Sequence, residues 1–402
     1  MSSDFSHISN IVADRGPAKY FHGRTQILHD FKDLMKLAMT ERIGRTTMLI
    51  QGAPGAGKTA LLEEMALDAL EHRWDIVKIN LDDLYNPVHM AQTLGKPYVS
   101  RKQTAVKTDV KLLGAEYVNE VAGDSSVSRV LEKMTPNRGV LLILDEAQRV
   151  TVFSDTPDKK IQVMATLDKL HNGELPHPVI LLAAGLGMSK ASFGDLGISR
   201  FKGGCFIELG ALGKDSERAV IHDWLVKEGG AKGDPGPWID AIAQKTHGWP
   251  QHISAYGDAA AKQIQNDHGE MSSAGLDIVY KLGAERREKY YEQRTEEISR
   301  KERCSLARMI QNISIEDGLD EKDIEEFLSR EYGSAEAKDL FKRAVKRGIL
   351  HSQKGVYTIP IPSMRTWLIS NYARERMEIP HAPQSISPLS HGQNSKIESR
   401  EL

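Results

Sequence analysis

The chain has 402 residues, of which 40% are hydrophobic and 27% charged, the balance of an ordinary folded protein long enough for two or three domains. Lys and Arg total 53 against 55 Asp and Glu, so bulk charge excludes a whole-chain polyanion binder, and any basic face is local. The two cysteines, Cys205 and Cys304, have no metal spacing and make no disulfide framework, and no apolar run reaches the length of a membrane span. We read both as reduced thiols of a cytoplasmic protein, with Cys205 inside an apolar strand. The first residues lack the basic and apolar regions of a signal peptide.

In chain order, residues 45–50 read as a strand ending in Thr47-Met48-Leu49-Ile50. Gly52-Ala53-Pro54-Gly55-Ala56-Gly57-Lys58-Thr59 follows and fits G-x-x-x-x-G-K-[ST]. Residues 59–70 read as a helix with Leu62, Met65, Ala66, Ala69 and Leu70 on one face. A strand, a Gly-rich loop and a helix start make a phosphate cradle, which extends through Ala60. Lys58 is placed to reach the β- and γ-phosphates, and the Thr59 hydroxyl to ligate Mg²⁺. Residues 75–80 read as a short strand. A polar stretch at 92–124 has basic spots at Arg101, Lys102 and Lys107, and a small hairpin arm is expected at 108–113. Val140-Leu141-Leu142-Ile143-Leu144 and Val179-Ile180-Leu181-Leu182-Ala183 are near-continuous apolar runs, as strands buried on both faces require. Cys205-Phe206-Ile207-Glu208-Leu209 is the last strand. Helical segments between these strands predict an α/β class, a P-loop parallel sheet with helices on both faces.

Beyond residue 213 the strands stop. Amphipathic helices are expected at 215–227, 238–246 and 251–265, an all-α lid. A charged region at 281–303 follows, in which Tyr290 and Tyr291 add little. Helices at 321–330 and 335–347, then a turn at Gly355, outline a winged helix. Lys338, Lys342 and Lys346 recur every fourth residue beside Arg343 and Arg347, which suits either a nucleic-acid contact or a solvated, protein-docking face. The Ser-, Pro- and His-rich tail is expected to be disordered. These readings divide the chain into an ATPase core (1–210), a helical lid (211–275), a winged-helix-like domain (276–375) and a tail (376–402).

The run 140–144 ends directly in Asp145-Glu146. Asp145 at the strand end can hold Mg²⁺ beside Thr59, and Glu146 can polarise an attacking water. This pair argues against a small-molecule kinase, which would also leave the two C-terminal domains unexplained.

With both motifs present, the chain resembles the AAA+ ATPases, and within them the branch shared by origin-recognition initiators, transposition regulators and STAND signalling ATPases. Phe21-His22-Gly23-Arg24 resembles the motif that helps hold adenine in that branch, although Thr25 and Gln26 stand where an acid is usual. Gly248-Trp249-Pro250 resembles the Gly-x-Pro of its lids, which adds Pro250 to Gly23 and Arg24 at the nucleotide. Ile198-Ser199-Arg200-Phe201 resembles the segment carrying an arginine finger, so Arg200 is either a catalytic residue for a neighbouring subunit or a surface ion-pair partner. Two departures stand out. Ala183-Ala184-Gly185-Leu186 lacks a polar sensor, and Gln251 and His252 follow Pro250 where a sensor arginine is sought. The resemblance implies a slow Mg²⁺-dependent ATPase that self-assembles with ATP. It would act through the winged helix on double-stranded DNA or on a protein encoded alongside it, with no membrane partner. The alternative is a nucleotide-stabilised DNA-binding regulator or STAND-like signalling switch with negligible turnover.

Overall fold

The computed structural model describes residues 19–373, apart from 41–43, 97, 99–125, 135, 137, 151–155, 312–317 and 354. The hairpin arm expected at 108–113 and the tail at 376–402 lie outside the described residues.

The sheet domain runs α1 (Thr25–Thr40), β1 (Thr47–Gly52), α2 (Lys58–Glu71), β2 (Asp75–Ile79), α3 (Pro87–Leu94), α4 (Val127–Glu132), β3 (Val140–Leu144), α5 (Pro157–His171), β4 (Val179–Gly185), α6 (Ser189–Gly194) and β5 (Phe206–Leu209). The five strands lie in the order β2-β3-β4-β1-β5, with every pairing parallel. β1, β3 and β4 are interior and buried along their whole length, which is why they read as unbroken apolar runs. Alternate residues serve opposite layers. Met48 and Ile50 join Phe31 of α1 and Leu61 and Met65 of α2, whereas Leu49 and Val77 join Met90 of α3 and Leu167 of α5. Cys205 is buried just before β5, and desolvation pushes its thiol up to about 11, out of the reactive range.

Four helices form the lid. α7 (Lys214–Asp223) continues through a π-helical turn, Trp224–Glu228. α8 (Gly236–Thr246), α9 (Pro250–Asn266) and α10 (Ser273–Arg294) follow. Their own core includes Ile221, Trp224, Ile242, Ile253, Tyr256 and Val279. The division expected at 275/276 falls inside α10, which is continuous for 22 residues and packs along α9.

The remaining elements are α11 (Arg300–Gln311), α12 (Glu321–Ser329), α13 (Ser334–Lys346), the β6 (His351–Gln353) and β7 (Val356–Thr358) hairpin, and α14 (Pro362–Tyr372). Leu319, before α12, adds an antiparallel bridge to Tyr357. Leu306, Leu340, Ile349 and Leu368 fill this unit, and their cluster runs through Tyr291, Tyr290 and Trp249 into the α1–α2 side of the sheet core. No helix among the described residues is long and apolar enough to cross a membrane.

Candidate nucleotide site

The loop between β1 and α2 turns at Gly55 (φ 78°) and Gly57 (φ 92°), left-handed conformations that glycine adopts without a Cβ clash. α2 then begins at Lys58, so Lys58, Thr59 and Ala60 form its first turn, behind the carboxyl edge of the sheet. Lys58 Nζ donates to the carbonyls of Gly52 (2.9 Å) and Ala53 (3.1 Å). Burial lowers its pKa to about 8, opposed by the nearby charges of Glu146 and Asp145. The phosphate loop therefore holds a half-buried lysine bonded to its own backbone.

Asp145 and Glu146 leave the end of β3. The Thr59 hydroxyl donates to Asp145 Oδ2 at 3.4 Å, and the Glu146 amide donates to Asp145 Oδ1 at 2.9 Å. A hydroxyl beside a carboxylate fits a Mg²⁺ that keeps most of its waters. Glu146 is a non-glycine residue at φ 58°, a strained backbone that costs ~1–3 kcal/mol where it occurs. Its carboxylate accepts from Gln148 Nε2 at 2.6 Å, while Gln148 Oε1 accepts from the Leu186 amide at 2.9 Å. Gln148 thus ties Glu146 to the end of β4, where the expected polar sensor is missing. Reading the sequence by motif overlooked it because the residue comes from the turn after β3, not from β4.

Residues 20–24 close a small cavity over α2. Phe21, Arg24, Ala56, Gly57, Ala60 and Pro250 are among its lining residues. His22 Nε2 meets Asp223 Oδ2 at 2.8 Å, and the Arg24 guanidinium donates to the Gly210 carbonyl. The segment is thereby pinned between sheet and lid, with Arg24 and Pro250 lining the cavity beside the loop and Gly23 against Ser216 of α7. Pro250 opens α9, where a missing N–H costs nothing.

Tyr290 and Tyr291, which add little to a nucleic-acid reading, are buried and make contacts at the loop and at α14. Tyr290 Oη donates to the Pro54 carbonyl at 2.8 Å, and the Gln251 amide donates to the Gly55 carbonyl at 3.2 Å. Tyr291 Oη bonds Ser363 Oγ of α14 at 2.7 Å and meets His252 Nε2 at 3.1 Å. Burial lowers the pKa of His252 to about 3, so the ring is neutral. Arg294, at the end of α10, lies over the Tyr290 ring at 5.3 Å, and its charge opposes protonation of Lys58. These residues sit in a run of mixed charge, and only the i, i+1 aromatic pair hinted at a buried end. From the C-terminal unit, Gly348 (φ 69°) abuts the Pro54 ring so closely that a Cβ would collide with it. His351 lies against Gly187, and burial lowers its pKa, with Glu208 raising it and Lys58 lowering it.

Arg200 and the basic helix stand apart. Arg200 is exposed before β5, and its carbonyl meets His171 Nε2 at 3.0 Å. Among the described residues, no hydrogen bond or ion pair joins its guanidinium to the phosphate loop. On α13, Lys338 pairs with Glu325 (3.7 Å), Arg343 with Glu302 (2.6 Å) and Arg347 with Glu297. Lys342 and Lys346 are exposed without an ion pair among the described residues.

Residues 42–185 match the family described as AAA domain. A search of curated proteins finds no match. Among solved structures, the Walker-type ATPase of Pyrococcus abyssi is 14% identical with a TM-score of 0.57, over 89% of this chain and 99% of that one. The ADP form of the Aeropyrum pernix ORC2 protein is 14% identical with a TM-score of 0.52, over 91% and 99%. At such identities the likeness is one of fold. The parallel sheet, the Gly-rich loop and the matched segment together make this the fold of an AAA+ P-loop ATPase.

Proposed function

We propose that the chain is an ATP-binding and slowly hydrolysing switch whose C-terminal unit docks on its own phosphate loop and leaves it as the nucleotide changes. The observation that carries this reading is the contact at Pro54, where Tyr290 and Gly348 both meet a residue of the loop. Residues 52–60 would hold the phosphates, with Gly23, Arg24 and Pro250 around the base. Thr59 and Asp145 would hold Mg²⁺, which neutralises phosphate charge, and Glu146 would orient the attacking water. Adenine nucleotide is the natural ligand class, since the Aeropyrum pernix ORC2 protein was solved with ADPNP and ADP.

Gly348→Ala tests the docking. The added methyl meets the Pro54 ring, a clash borne only while the contact is made, whereas the strain of the left-handed backbone is borne in both arrangements and cancels. Release of a fluorescent ADP should therefore quicken by about tenfold or more, because the closed arrangement is disfavoured. An unchanged release rate would mean that the contact does not gate the site.

Assembly is the second element. Arg200 is exposed and outside its own site, which suits action on a neighbouring subunit's γ-phosphate. Arg200→Ala should keep ATP affinity and lose hydrolysis. Mixing it with Glu146→Gln should restore some activity, since each interface then draws one intact residue from each chain. If mixing rescues nothing and the ATP-bound protein stays monomeric at high concentration, Arg200 does not act in trans.

The order helix, bridge, helix, helix, hairpin supports reading 300–358 as a winged helix. We assign its output to duplex DNA through the exposed Lys342 and Lys346. Binding should fall steeply with salt, because each phosphate neutralised releases a counterion. Replacing Lys342, Lys346 and Arg347 by Ala should weaken it almost equally across sequences, because phosphate contacts carry no sequence information. The carboxylate partners of Lys338, Arg343 and Arg347 favour the other assignment, a protein-docking face. Failure of the wild type to bind DNA at low salt with ATP present would establish that one.

A further inference from the structure

A second cavity, about 640 Å³, lies between the lid and the C-terminal unit, away from the phosphate loop. α8, α10, β7 and α14 contribute to its wall. Its size falls within the usual range for small-molecule sites, and a junction between domains is a common place for one. Among the described residues, Lys245, His247, Arg287 and Arg365 line it with one carboxylate, Glu288, while Tyr357 and Trp367 supply flat apolar surface in front of the buried Tyr291. Ser363, Ser370 and Asn371 add neutral polar groups.

Arg287 is the informative member. One terminal nitrogen donates to the Lys245 carbonyl at 3.2 Å, but Nε is buried with no hydrogen-bond partner among the described residues. A buried guanidinium N–H without an acceptor is costly and is ordinarily satisfied by protein, water or ligand. Trp367 stands beside Tyr291 with ring centroids 5.4 Å apart, and Tyr291 bonds Ser363 across the lid boundary. The wall therefore carries cationic and aromatic groups together, and both the lid and the C-terminal unit furnish them.

We propose that this cavity binds a small organic anion with a flat apolar body, its charge on Arg287 and its body against Tyr357 and Trp367. Such a ligand would bridge lid and C-terminal unit, since each contributes part of the wall. The site does not depend on the nucleotide reading, because no residue of the phosphate loop takes part.

The test uses naphthalene-1-sulfonate and its neutral counterpart naphthalene-1-methanol, titrated calorimetrically into the full chain carrying Lys58→Ala, with Mg-ADP present. The expected result is one site per chain, with the sulfonate bound about tenfold more tightly than the alcohol. Arg287→Gln should erase that tenfold preference but leave alcohol binding, and Arg287→Lys should recover part of it. Ser370→Trp, placed at an exposed edge of the cavity, should block both probes while the chain melts as before. Absence of saturable sulfonate binding up to millimolar concentration would overturn the proposal. So would equal affinity for the two probes, or binding indifferent to both Arg287→Gln and Ser370→Trp. If Arg287→Gln lowers the melting temperature sharply, the comparison of the two probes on the parent chain and the Ser370→Trp arm still decide it.

Discussion

Glu146→Gln is expected to lower ATP turnover by ~10²-fold or more while leaving nucleotide affinity within a few-fold of the parent chain. The amide has nearly the same shape as the carboxylate, and its oxygen still accepts from Gln148, so the strained turn after β3 survives. What it loses is the capacity to take a proton from water. Asp145 and Thr59 are untouched, so the phosphate loop and the hydroxyl–carboxylate pair beside it keep their positions. Phosphate release measured beside equilibrium binding of a fluorescent ATP analogue separates the two quantities. A variant that turns over at the parental rate would remove Glu146 from the chemistry and leave Asp145 as the only acidic group at that strand end to examine.

Lys58→Ala is expected to weaken ATP binding roughly 10- to 100-fold, the equivalent of the ~1.5–3 kcal/mol carried by a hydrogen bond to a charged group. The pH dependence gives an independent reading of the same residue. Burial lowers its pKa to about 8, so the cation that phosphate needs is lost as pH rises through 8. Affinity of the parent chain should therefore decline above pH 8, and that of Lys58→Ala should stay level there. Fold stability moves the other way. A lysine with a lowered folded pKa binds its proton more weakly than in the unfolded chain, so its burial costs most below pH 8 and is relieved as pH climbs toward the ordinary lysine value. Binding isotherms and thermal melts at pH 7, 8 and 9 on both chains check the opposed trends. Parallel decline in the two chains would place the titration elsewhere.

β1, β3 and β4 were readable because interior parallel strands are apolar on both faces, and that pattern owes nothing to distant residues. The phosphate loop was readable because its glycines answer to a local backbone requirement at Gly55 and Gly57. Asp145 and Glu146 followed from their place at the end of such a strand. What the sequence concealed is what depends on tertiary approach. α10 carries charge around most of its girth and has no clean apolar stripe, because its inner face touches α9 through Gly283 against Tyr256 at its middle and ends in Tyr290 and Tyr291. Gln148 looked like any residue of a polar turn until β4 came alongside it. Arg343 and Arg347 read as a basic face, because Glu302 and Glu297 lie far away in sequence and only Asp339, also paired with Arg343, is local.

α10 also behaves as a rigid lever. Its 22 residues span ~33 Å, with Gly283 seated in the lid and Tyr290 and Arg294 reaching the loop. Gly283 is the helix's midpoint and Tyr290 lies ~10 Å beyond it, so a tilt of roughly 15° about that point carries Tyr290 through about 3 Å, the span of a hydrogen bond. The bond from Tyr290 to Pro54 cannot stretch so far, and Tyr291 is tied to Ser363 only one residue on. A small rocking of the lid must therefore break the grip on the loop and drag α14 in a single stroke, which makes lid angle and C-terminal position one mechanical coordinate.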